Sequence, residues 1–375
     1  MLIALFCRSL AGIYIHIPFC RKACIYCDFQ FSTNLKSTSQ VISAICLEIK
    51  RCGQVSKTID TIYFGGGTPS LLSSNELNEL VNTLHKKFIV DSACEFTIEV
   101  NPEDVNYDKI KLWKSLGFNR VSLGIQSFNS THLQWMNRSH TFDQSKNAMV
   151  QIHKHFENVS IDLIYGLPTL SRKQWQNSLM QVENFKPAHL SVYCLTVENK
   201  TLLHRQIQNN EIQIALEEEV IWQFKALKKW ATKIGYEHYE ISNFAREGKY
   251  ARHNSNYWLG KPYFGFGPSA HSFDGDNRWW NISNNHTYMK KIMENKSPIH
   301  ESEKLSPKDK LNDYIITRLR TKWGLDLQYI KNAFGKDLDL SECLQNGWIS
   351  EKNKVIGLSD KGMLYADAAT KALLV

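Results

Sequence analysis

The chain has 375 residues, 43% of them hydrophobic and 22% charged, with a formal net charge of +8. That length supplies ample core for two or three domains, and the balance is that of an ordinary folded protein, which excludes disordered and fibrous classes. The mild positive charge permits an anionic ligand without demanding nucleic acid. No run approaches the ~18 apolar residues of a membrane span. Residues 1–10 are apolar with one arginine, but the run is short and has no basic region before it. It is read as an unstructured lead-in or an upstream start, not a signal peptide. Nine cysteines are an odd count and imply no secreted disulfide framework, so the cytoplasm is expected.

The first element is the apolar, β-branched run Ile13–Tyr14–Ile15–His16–Ile17, a buried strand that Pro18 stops. A loop follows with Cys20, Cys24 and Cys27 in the spacing CxxxCxxC. Helix is expected over Ser39–Arg51 and strand over Thr61–Phe64, running into Gly65–Gly66–Gly67–Thr68–Pro69. Ser73 and Glu76 have capping-box spacing and start a helix to about Lys87. Strands are then expected at Glu95–Val100, Arg120–Ile125, Val159–Ile164 and His189–Leu195. The helices between and after them are Asp108–Leu116, Phe142–His155, Ser171–Phe185 and Glu211–Ile234. The last has acidic residues early and lysines late, as the helix dipole favours. About six strand–helix units in succession predict an α/β sheet of parallel strands, too few for an eight-fold barrel. Tyr236–Phe244 reads as an extra strand and Arg252–Phe273 as irregular. Ser306–Val375 reads as a small α+β module of winged-helix order, with helices near Asp309–Leu319 and Asp326–Phe334 and a hairpin across Gly347–Leu358. Its segment LDLQYIKNAFGKDLDL is not basic, which argues for packing or a partner surface and not DNA.

Three thiolates on one loop can share one metal centre. A cubane iron–sulfur cluster normally takes four cysteines, so three leave one iron open. A zinc site using the three cysteines and His16 also fits the composition. The loop, with Tyr26 before its last cysteine, resembles the radical S-adenosylmethionine (radical SAM) superfamily. Within it, IHIPFCRKACIYCDF is similar to the branch that contains HemN coproporphyrinogen III dehydrogenases and HemW heme chaperones. The resemblance implies an open (βα)6 partial TIM barrel with a C-terminal α+β domain. It also implies a 4Fe-4S cluster on Cys20, Cys24 and Cys27 with SAM chelating the fourth iron. The expected organisation is a lead-in over 1–11, a barrel over 12–235, a connecting region over 236–305 and the C-terminal domain over 306–375.

A SAM site needs close backbone approach, which a glycine run supplies, acceptors for ribose and amine, and a cation for the carboxylate. Read alone, Glu99 could be a solvated strand end and Arg138 a surface residue, whereas Asp162 inside VSIDLIYGLP would be costly to bury unpaired. By resemblance, Tyr14, Tyr26, Gly66, Gly67, Thr68, Glu99, Gln126, Arg138 and Asp162 match SAM-contact positions, with Thr196 a looser match. His253–Asn254–Ser255–Asn256–Tyr257–Trp258 matches the HNxxYW motif of the HemW proteins and implies heme at His253, with His271 a second candidate. A loop histidine among core aromatics is the plain alternative. Cys27–Asp28–Phe29 lacks the fourth cysteine of the HemN proteins, and only 19 residues precede Cys20. Both departures point to a heme chaperone that passes heme to an acceptor protein, with any membrane contact made through that acceptor. The alternative is an oxygen-independent coproporphyrinogen III dehydrogenase.

Overall fold

The computed structural model describes residues 10–53, 55 and 57–375. Most of the expected lead-in, with Cys7, lies outside them. Leu10 and Ala11 belong instead to the first strand. The central strands are β1 (Leu10–Ile17), β2 (Thr58–Gly66), β3 (Val90–Val100), β4 (Arg120–Gln126), β5 (Asn158–Tyr165) and β6 (His189–Cys194). They pair in parallel and in sequence order. Helices cross over between them, giving the open (βα)6 array that the strand–helix rhythm predicts. Alternation decides what faces what: Ile13, Ile15 and Ile17 are fully buried with Val41 and Ile45 of the following helix in one apolar core. Tyr14 and His16, the intervening positions, turn to the barrel interior.

The capping box at Ser73 and Glu76 is present, and Thr141–Gln144, Ser171–Gln174 and Ser306–Asp309 repeat the device. The expected helix over Glu211–Ile234 is shorter, Glu217–Lys233, and a separate helix, Leu202–Gln208, precedes it. Asn210 takes a left-handed φ of 57° just past the end of the first of them.

The stretch Arg252–Phe273, expected to be irregular, holds a helix and two strands. Strands β7 (Glu237–Glu240) and β8 (Asn243–Ala245) extend the β6 edge, where one longer strand was expected. Strands β9 (Tyr263–Phe266), β10 (His271–Phe273), β11 (Asn277–Asn281) and β12 (Ile299–Lys304) extend the opposite edge from β1. The result is one sheet of 12 strands. Between the two extensions, the HNxxYW segment forms the helix Arg252–Trp258. It sits against the N-terminal halves of β1, β2 and β3, because Glu95 accepts the backbone N–H groups of Arg252 (3.0 Å) and His253 (2.9 Å) and so caps it from another strand.

The C-terminal residues have their own small core of Leu311, Ile315, Ile330, Ile349, Ile356 and Leu373. Strands β13 (Leu325–Asp326), β14 (Ile349–Lys352) and β15 (Val355–Leu358) form its sheet, with helices Pro307–Leu319 and Leu327–Phe334 beside it. Arg320 anchors this part to the barrel sheet: its Nε donates to the buried carboxylate of Glu240 at 3.0 Å.

Candidate functional site

A cavity of about 950 Å³ opens at the carboxyl ends of the parallel strands. In parallel barrels this is the end where sites form. Cys20, Cys24 and Cys27 line one side of it, on a loop tied down by its backbone. The Cys20 N–H donates to Ser32 O at 3.0 Å and the Ile25 N–H to Met136 O at 3.3 Å. Asn137 Nδ2 donates to Ala23 O at 2.8 Å. All three are free thiols. Burial pushes the Cys27 thiol up to about 12 and raises that of Cys20 against a hydrogen bond from Thr68. Such thiols ionise on binding a metal centre.

The donor set fits a cluster. Three sulfurs line the cavity, and two have nearby donors: Thr68 Oγ1 at 3.5 Å from Cys20 Sγ and Arg138 Nη1 at 3.5 Å from Cys24 Sγ. Hydrogen bonds to cluster sulfurs are among the groups that tune such centres. The zinc set with His16 is not assembled. His16 bonds Tyr14 OH through Nδ1 (3.1 Å) and Gln30 O through Nε2 (2.9 Å). Among the described residues no three His, Cys, Asp or Glu side chains converge as one metal ion would require.

Around the thiols stand most of the expected SAM-contact residues: Tyr26, Gly66, Gly67, Thr68, Glu99 and Gln126 line the cavity, as do Arg138, Asp162 and Thr196. The glycine turn is forced. Gly66 has φ 107°, and a Cβ there would lie 2.6 Å from the His16 ring; one on Gly67 would lie 2.5 Å from Phe19 O. Glu99 takes a hydrogen bond from Tyr63 OH on Oε1 (2.7 Å) and from Gly66 N–H on Oε2 (3.2 Å). Burial lifts its carboxyl to about 7, against the Tyr63 hydrogen bond and with the neighbouring Asp162. Burial lifts Asp162 to about 6, against hydrogen bonding by Ser122 and the charge of Arg120. Arg138 Nη2 donates to Asn101 Oδ1 (2.7 Å) and Gly124 O (3.1 Å), while its buried Nε has no partner. Gln126 adopts a left-handed φ of 63°, backbone strain of about 1 kcal/mol or more placed at the cavity.

Two expected residues do not reach the cavity. Tyr14 lies beneath the turn, where a Cβ on Gly65 would come within 3.1 Å of its ring. His253 is 1% exposed, in the barrel interior under β1 and β2. Its Nδ1 bonds Thr61 Oγ1 (2.9 Å) and its Nε2 bonds Tyr257 OH (2.7 Å). Both nitrogens are engaged and no surface is open to a macrocycle, so the expected axial ligand is a packed interior residue here. His271 is exposed on β10, stacked on Trp280 with 5.6 Å between ring centres, and is not part of the cavity. Sequence reasoning missed Tyr63, which bonds Glu99 from below, the cavity residues Asn101 and Ser122, and the segment 363–368 that covers one side of the cavity. The alternation Thr61, Tyr63, Gly65 carried the signal for Tyr63; nothing local signals the last.

Fold and site together define a radical SAM protein. The Radical SAM superfamily model matches residues 14–182, and the HemN C-terminal domain model matches residues 305–365. Heme chaperone HemW of Bacillus subtilis is 30% identical, over 96% of this chain and 98% of that protein. Its counterpart from Lactococcus lactis is 31% identical, over 93% of each. The chain belongs to the HemW family of that superfamily. Among solved structures, the coproporphyrinogen III oxidase HemN from Escherichia coli is similar in fold, with a TM-score of 0.85 at 22% identity, covering 98% of this chain and 90% of that one.

Proposed function

We propose that this chain is a heme chaperone: it holds a 4Fe-4S cluster on Cys20, Cys24 and Cys27, binds SAM in the strand-end cavity, binds heme, and passes heme to an acceptor protein. When bound, the cluster and SAM supply one-electron chemistry at the open iron. The chain's own residues hold and orient: the Gly66–Gly67 turn admits SAM's backbone-sized groups, Glu99 and Asp162 accept its donors, and Arg138 faces its carboxylate. The observation that carries the reading is a three-cysteine loop with Phe29, not cysteine, two residues after Cys27, on a chain about 30% identical to HemW proteins over nearly its whole length.

Heme suits the outer cavity better than His253. Phe29, Phe31 and Tyr365 supply aromatic surface there, and Lys22 supplies positive charge for a propionate. We assign the cluster and SAM to residues 12–235, and place boundaries of the further parts at 236–305 and 306–375. No helix among the described residues is long and apolar enough to cross a membrane. We place the protein in the cytoplasm, with the acceptor as its route to any membrane. The test is transfer: heme-loaded chain mixed with a heme-free hemoprotein should give the acceptor's spectrum, and retention of all heme by the chain would reject the chaperone reading.

A further inference from the structure

The HNxxYW helix closes the barrel floor, at the opposite end of the strands from the cysteines. Its histidine is nevertheless joined to the cavity by side-chain contacts. The His253 ring stacks on Tyr63 with 5.1 Å between ring centres and planes 26° apart. Tyr63 stacks in turn on Tyr14 at 6.1 Å and 26°. The Tyr63 hydroxyl donates to Glu99 Oε1 at 2.7 Å, and the other oxygen of that carboxylate accepts from the Gly66 N–H. Tyr14 reaches His16, whose Nε2 bonds Gln30 O just past the cysteine loop. The ring of His253 is itself fixed on both sides by Thr61 and Tyr257. Gly12 leaves the room for it: a Cβ there would sit 3.3 Å from the imidazole.

We propose that His253 is a positioning residue for the SAM site: its ring, locked by Thr61 and Tyr257, holds Tyr63 in the pose that orients Glu99 and the Gly66 turn toward the ligand. Glu99 then presents its remaining lone pairs to an amine or hydroxyl of SAM without reorganisation. A preorganised acceptor is worth more than a mobile one, because the ordering cost is met in folding. The inference rests on the reading of the strand-end cavity as the SAM site, and it gives the HNxxYW motif a role that needs no contact with heme.

The test uses the full chain with its cluster reconstituted anaerobically, titrated with SAM while the electron paramagnetic resonance signal of the reduced cluster is followed. His253→Ala should weaken SAM binding about tenfold, the loss of one charge-assisted hydrogen bond. Iron content and heme stoichiometry should stay at wild-type values. His253→Phe keeps an aromatic ring against Tyr63 but loses the hydrogen bonds to Thr61 and Tyr257, so it should recover only part of the affinity. Tyr63→Phe removes only the hydroxyl that orients Glu99; it should reproduce the loss, and it decides the matter if His253→Ala does not fold. Unchanged SAM affinity in Tyr63→Phe, or in a folded His253→Ala, would overturn the inference. So would a His253→Ala chain that binds SAM normally and loses heme. A wild-type chain that does not respond to SAM would instead defeat the reading of the cavity itself.

Discussion

Arg138 Nη1 stands 3.5 Å from Cys24 Sγ while its Nη2 donates to Asn101 Oδ1 at 2.7 Å, so one guanidinium touches both the thiol side and the strand-end side of the cavity. The side chain lines the cavity, where a guanidinium can meet a ligand carboxylate. Arg138→Ala should therefore weaken SAM binding by about tenfold to a hundredfold, the range for losing a hydrogen bond to a charged group. Iron per chain should not change, since no iron ligand is removed. Equilibrium dialysis and iron analysis on the same preparation check both.

The cluster prediction is separate. Reconstituted chain should carry about four irons with a 4Fe-4S spectrum. Alanine at Cys20, Cys24 and Cys27 together should remove the iron and leave heme binding in place, because heme needs none of the three thiols as iron ligands. Stoichiometric zinc in place of iron, measured by elemental analysis, would contradict the assignment.

Glu99 and Asp162 set a pH dependence. Burial raises both carboxyls, Glu99 to about 7 and Asp162 to about 6. Only the ionised forms are pure acceptors, so SAM affinity should rise as pH increases through these values and level off above about pH 8. The sign for the ligand-free chain is opposite. A carboxyl raised in the folded state binds more protons folded than unfolded. Its stabilising share is full below the ordinary carboxylate range and is lost as pH rises through the folded value. Melting curves should thus show SAM protecting more at pH 8 than at about pH 5.5. Asp162→Asn should remove the lower step and leave the upper one.

Arg320 offers a stability test away from the cavity. It bonds Glu240, whose side chain is 2% exposed, and stacks over Trp258 at 4.8 Å. Arg320→Ala removes the guanidinium from one carboxylate oxygen, while Ser242 N–H and Asn243 Nδ2 still donate to the other, and should cost about 1–3 kcal/mol, less than for a wholly buried pair because the arginine is partly exposed. Denaturant unfolding followed through the tryptophans would read it.

Much of the barrel is legible in the sequence because its strands are apolar runs with sharp ends. Pro18 stops β1 and Asn101–Pro102 stops β3. The residues that ring the cavity follow, since most sit at strand ends. The edge extensions are not legible. β12 reads IHESEK and all its residues are exposed, so no periodicity marks it. The place of His253 is hidden for a different reason. HNSNYW looks like a polar loop, and it becomes a helix with a buried histidine against distant partners such as Glu95 on β3 and the absent side chain of Gly12. Both partners are more than a hundred residues away in the chain.

The central claim is that this radical SAM chain carries heme and does not make its precursor. The direct measurement is one anaerobic experiment on the reconstituted chain with SAM and reductant, supplied with heme in one arm and coproporphyrinogen III in the other. The account predicts about one heme bound per chain, with the spectrum of ligated heme iron, and no protoporphyrinogen. Protoporphyrinogen formed by a chain that ignores heme would contradict it.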